Sequence, residues 1–125
     1  MLNPQRPPKP ELLALLRECH RRAEELRRAD PPPAWRTLEA EEHRLQLEHG
    51  PRYSGPAWFG DVPEHERQRY LRAIAELERG GLLEVYRQWG RRVSHVRLTA
   101  EGERVLAELG REEQAGQQAG AGGGS

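Results

Sequence analysis

Leu12, Leu16, Cys19, Ala23 and Leu26 recur at intervals of four and three residues, which lays them along one stripe of a helix from Glu11 to about Ala29. Pro10 before it and Asp30-Pro31-Pro32-Pro33 after it bracket that helix. Trp35, Leu38, Ala40, Leu45 and Leu47 form a thinner stripe and predict a second helix from about Arg36 to His49, with Thr37 as its cap and Gly50-Pro51 as its stop. Ser54 is placed to cap one or two further turns that carry Trp58 and Phe59 and close at Gly60. Asp61-Val62-Pro63-Glu64 then reads as an N-cap, a first-turn proline and a glutamate three residues past the cap, so a helix begins at about Val62. Its apolar face holds Tyr70, Leu71, Ile74 and Leu77, and Gly80-Gly81 ends it. The opposite face carries His65, Gln68, Arg69, Arg72, Glu76 and Arg79, while Arg67 falls with the apolar stripe.

Past the glycines the period changes. Leu82 to Gln88 is rich in Leu, Val and Tyr, and Val93 to Leu98 alternates with β-branched residues, so the two segments predict an antiparallel hairpin. Trp89-Gly90-Arg91-Arg92 supplies its turn, with Gly90 giving backbone freedom and the arginines a basic tip. In the second strand Val96 and Leu98 face one way, His95 and Arg97 the other. Thr99 caps a last helix from Ala100 to about Leu109, with Val105, Leu106 and Leu109 on its apolar side and Gly110 as its stop.

The organisation that follows is a proline-containing, disordered lead-in over residues 1–10, an N-terminal helix over 11–30, a proline linker over 31–35, a domain over 36–110 and a disordered Gly/Ala/Gln tail over 111–125. The fold class is mainly α with a small β-hairpin. The N-terminal helix either packs on its own domain or pairs two subunits through Leu12, Leu16, Cys19 and Leu26. Trp35, Trp58 and Phe59 read as core; Trp89 either packs on the domain or inserts beside a partner.

Composition alters this picture little. The 20 basic residues, all but Lys9 arginine, equal the 20 acidic ones, so total charge does not call for a nucleic-acid partner. Between Val62 and Thr99, however, eight arginines stand against five glutamates, a local net of +3. Cys19 is the one cysteine, which excludes an internal disulfide, and no apolar run approaches the ~20 residues of a membrane span. The chain reads as cytoplasmic, with no membrane partner.

The run from Tyr70 to Leu83, followed by Gly90-Arg91-Arg92 and then by Val96-Arg97-Leu98-Thr99-Ala100-Glu101-Gly102, resembles bacterial winged helix-turn-helix regulators of the MarR and PadR types. The resemblance covers about half the chain. It implies a winged helix domain preceded by an additional N-terminal helix, a recognition helix over about 62–79 for the major groove of double-stranded DNA, and a wing over about 88–93. It assigns His65, Gln68, Arg69 and Arg72 to bases and phosphates and Arg91 and Arg92 to the backbone or minor groove. A homodimer reading two half-sites is expected, with its effector undefined.

Chemistry of other kinds has little to stand on. Cys19 and His20 are adjacent and lack ligand spacing, His43, His49, His65 and His95 are scattered over separate elements, and Asp30 and Asp61 read as caps. No enzyme, metal or cofactor is expected. The alternatives are a winged helix protein-interaction module, which the zero net charge favours, or a phage or plasmid accessory protein.

Overall fold

The computed structural model describes the backbone of residues 9–123 and the side chains of residues 9–113. Of the expected lead-in, all but Lys9 and Pro10 lies outside the described residues. Five helices and one hairpin follow in the order α1 (Pro10–Arg28), α2 (Thr37–His49), α3 (Gly55–Phe59), α4 (Glu64–Arg79), β1 (Leu83–Gln88), β2 (Arg92–Leu98) and α5 (Ala100–Gly123).

The core is built on α1. Leu12, Leu15, Leu16 and Cys19 are at most 2% exposed, and the helix packs against α4, β2 and α5. Ile74 and Leu77 of α4, Leu82, Leu83 and Val96 close the other side. Leu12, Leu16 and Cys19 are therefore interior residues of a single chain rather than a face for a second subunit, which corrects that half of the sequence reading; Leu26 is half-buried. The periodic stripe omitted Leu15, which completes the 12-15-16-19 ridge and is fully buried.

Burial has a chemical consequence for the one thiol. Cys19 Sγ lies 3.7 Å from the Val96 carbonyl oxygen, and desolvation pushes its pKa up to about 12, so it is protonated at neutral pH. A soluble disulfide reagent is expected to label Cys19 only in denaturant, at the rate of unfolding. Labelling of the native chain as fast as free cysteine would show that α1 is not docked.

Aromatic contacts fix the short α3. Ser54 caps it by accepting from the Ala57 N–H, Trp58 Nε1 donates to the Arg52 carbonyl at 3.1 Å, and Phe59 stacks on Tyr70 with ring centres 3.8 Å apart. Arg22 of α1 lies over the Trp58 ring and donates to the Ala57 carbonyl.

The hairpin pairs Leu83 with Leu98 through Val85 with Val96, then shifts register after Tyr86 so that Arg87 meets Val93. Ser94 is the extra residue of that bulge. A third extended segment joins the sheet: Val96 N–H donates to the Pro51 carbonyl, Tyr53 N–H donates to the Ser94 carbonyl, and Arg52 pairs antiparallel with His95.

On the outer face of the hairpin lies α2, which contributes no buried residue. Its contact is polar: His95, fully buried, joins Glu42 at 3.1 Å and Ser94 at 2.6 Å through its two ring nitrogens, and His49 stacks on Tyr86 at 3.7 Å.

Several boundaries differ from the sequence expectation. The N-cap of α4 is Pro63, not Asp61, because a proline disfavours helical backbone in the residue before it and leaves Val62 outside. The N-cap of α2 is Arg36, without a side-chain cap, and Thr37 is already helical. Trp35, expected in the core, is 75% exposed, with the Arg36 guanidinium over its ring. Helix α5 continues through Gly110 to Gly123, where Gly110 was read as a stop; a single helical glycine costs only about 1 kcal/mol, and Arg17 pairs with Glu113 beyond it.

Candidate nucleic-acid interface

Helix α4 presents three different flanks. Its interior flank is the Ala73, Ile74 and Leu77 ridge. One lateral flank meets the start of α1, where Arg69 lies 3.9 Å from Glu11 and Glu76 lies 3.5 Å from Lys9. The other flank, with Arg67 and Leu71, forms a wall of an open cleft of about 640 Å³ that runs to the hairpin. Between these flanks His65, Gln68 and Arg72 face solvent.

The cleft gathers cations from distant parts of the chain. Arg52, Arg67, Arg87, Arg91 and Arg92 line it, together with Tyr53 and Trp89. Arg87 donates to both oxygens of Glu78 at 2.8 Å each, and these bonds hold that carboxyl below its ordinary range, so this cation is fixed as a buttress between α4 and β1. Arg67 is held in the same bidentate manner by Glu64, whose carboxyl is lowered by bonds from Gln68 and Arg67. Arg52 bonds Glu42. The Tyr53 hydroxyl is buried with no partner among the described residues, and burial pushes its pKa up to about 12, so it stays neutral.

Pairing divides the arginines into two groups. Among the described residues, Arg72, Arg79, Arg91 and Arg92 are the arginines between Arg17 and Arg104 that have no carboxylate oxygen within 4.0 Å. All four lie on α4 or the hairpin and all are exposed. Within that stretch the arginines without a carboxylate partner sit on one pair of adjoining elements, although exposed ion pairs elsewhere each contribute little to stability. Arg72 and Glu76, one helical turn apart, do not pair, since Glu76 turns to Lys9.

At the hairpin tip Trp89 is 80% exposed, with φ of 46°, followed by Gly90 at 81°. These two consecutive left-handed residues open the three-residue connection between Gln88 and Arg92, and glycine or asparagine is the usual occupant of such backbone. A bulky side chain there costs roughly 1–2 kcal/mol. Trp89 is thus not packed on the domain, in contrast with Trp58, which is 6% exposed.

The six residues predicted as a reading surface are accordingly all exposed, but in three settings. Arg72 and His65 stand open on α4, with Gln68 beside them donating to Glu64 at 2.9 Å. Arg69 lies toward α1, and Arg91 and Arg92 belong to the cleft. Two cleft residues escaped the sequence reading. Helical arithmetic puts Arg67 inside the apolar stripe, but the buried face of α4 centres on Ala73, Ile74 and Leu77, which leaves Arg67 and Leu71 on the cleft; Arg52 is brought in by its pairing with His95, far along the chain. Among the described residues no group of three or more His, Cys, Asp or Glu side chains is placed to hold a metal, and no helix is long and apolar enough to cross a membrane. No protein-family model matches the chain, and neither the curated proteins nor the solved structures yield a match.

Proposed function

We propose that the protein is a DNA-binding transcription regulator of the winged helix-turn-helix kind, with α4 in the major groove of duplex DNA and the β1–β2 hairpin as its wing. The observation that carries this reading is the location of the unpaired arginines: Arg72 and Arg79 on α4, Arg91 and Arg92 at the wing. The order of elements supports it, with a short helix, a long helix and a hairpin following an extended segment that pairs with β2. Arg72 suits a guanine edge, where its planar fork bonds O6 and N7 together, and Arg91 and Arg92 suit phosphates or a narrow minor groove. Two copies reading half-sites about one helical turn apart complete the reading, and their contact uses surface other than Leu12, Leu16 and Cys19.

A fluorescent random-sequence duplex titrated at about 50 and 200 mM salt tests it. Micromolar binding that weakens steeply with salt is expected, and Arg72→Glu with Arg91→Glu abolishes it while leaving the fold intact. A folded wild-type chain that does not bind at the lower salt overturns the proposal. That result would move the weight to a protein-interaction module, a reading favoured by Trp35 and Leu38, 75% and 86% exposed beside and on α2.

A further inference from the structure

Three tryptophans occupy three different situations. Trp58 is interior; Trp35 is exposed but covered on one face by the Arg36 guanidinium, 5.0 Å from its ring centre. Trp89 is exposed and has no aromatic or cationic neighbour over its ring among the described residues. It stands at the rim of the cleft in a backbone conformation, φ of 46°, that an L-residue of its size disfavours. The turn gains nothing from the indole: asparagine or glycine would hold this left-handed backbone with less strain. Its neighbours in the chain are Gly90, which adds no bulk, and then Arg91 and Arg92, two cations without carboxylate partners. The bulge at Ser94 sharpens the twist of the hairpin and is itself anchored, since Ser94 Oγ donates to Gln88 Oε1 at 2.8 Å. A rigid, twisted ribbon therefore ends in one planar apolar group flanked by positive charge.

We infer that Trp89 is a base-stacking wedge: the wing enters the minor groove of duplex DNA, Arg91 and Arg92 take the flanking phosphates, and the indole inserts at a flexible base step. This rests on the DNA-binding reading and adds a contact to it. Apolar wedges act in this way by partly unstacking a step and kinking the duplex toward the major groove, most readily at pyrimidine–purine steps. Charge complementarity selects the partner, because an acidic or apolar protein surface would leave either the arginines or the indole without a match. The step preference would then be read at the wing, separately from the bases contacted by α4.

The test uses the full chain, Trp89→Asn and Trp89→Phe, with 20-base-pair duplexes rich in TA steps or lacking them (about two helical turns). Trp89→Asn puts a residue that tolerates left-handed backbone at φ of 46°, so its thermal midpoint is expected to equal or exceed that of the wild type. Its affinity is expected to fall about tenfold, in the range of one lost base–aromatic stack, with the salt slope unchanged because the phosphate contacts remain. Trp89→Phe recovers part of the loss, the wild type prefers the TA-rich duplex, and duplex-induced quenching of tryptophan emission disappears in both variants. Binding by the wild type with Trp89→Asn equal in affinity, or with its quenching retained, overturns the wedge and leaves the regulator reading standing. A fall in thermal midpoint for Trp89→Asn would overturn it as well, by giving the indole a structural role. Failure of the folded wild type to bind either duplex sinks both readings together.

Discussion

Leu16→Ala is expected to destabilise the folded chain by about 2–5 kcal/mol, and by the same amount at every protein concentration. Leu16 has no exposed surface, and its neighbours on the ridge, Leu12, Leu15 and Cys19, are held by α4, β2 and α5 of the same chain. Truncation leaves a cavity in a close-packed interior that the surrounding helices fill only in part. Thermal or urea melts at two concentrations a hundredfold apart separate this from an interface role. A midpoint that rises with concentration in the wild type and ceases to do so in the variant would return α1 to the subunit interface.

Gly50→Ala is the second large effect, a loss of at least about 2 kcal/mol. Gly50 has φ of +102°, and an added Cβ would lie 2.3 Å from the Val96 carbonyl oxygen and 2.7 Å from Arg97 Cβ. Neither backbone nor strand can withdraw without breaking the Val96 N–H bond to the Pro51 carbonyl. Gly90→Ala is the matched control, since Gly90 has φ of +81° but nothing within 4 Å of the added carbon. Only the left-handed strain of roughly 1–2 kcal/mol is expected there. Equal losses in urea melts at the two positions would show that the close approach at Gly50 relaxes freely.

What the sequence disclosed follows from how local each signal is. The α1 ridge, the Ser54 and Thr99 caps, the glycine after α4 and the hairpin are all set by residues within one or two turns of each other, and each stands where the local pattern puts it, save that the ridge also takes in Leu15. The Glu101-Gly102 pair also has a physical basis: a Cβ at Gly102 would lie 2.2 Å from the Leu82 carbonyl oxygen, so α5 can begin beside β1 only with glycine there. Long-range polar contacts left no comparable trace. Nothing near His95 in the chain reveals that Glu42 lies against it, and nothing near Arg52 reveals the cleft. Because α2 is attached through such contacts, its apolar residues do not mark its inner face, and Leu38 and Leu47 turned out exposed. Trp89 illustrates the same limit from the other side: size and hydrophobicity suggest packing, but at the hairpin tip it is 80% exposed, at the rim of the cleft. The arginines of the candidate interface were visible as residues; which of them lack a carboxylate was decided only by the fold.

The position of α1 within the core also shapes how the molecule comes off the ribosome. Its covering elements α4, β2 and α5 are all translated after it, the nearest beginning at Glu64 and the last at Ala100. Throughout that interval Leu12, Leu15 and Leu16 have no native surface to dock on, and at about 5–20 residues per second the wait lasts several seconds. The pairings that end it join residues far apart in sequence, a topology that delays collapse until α5 has been made. The nascent N-terminal helix is thus the segment for which a chaperone would have the longest opportunity.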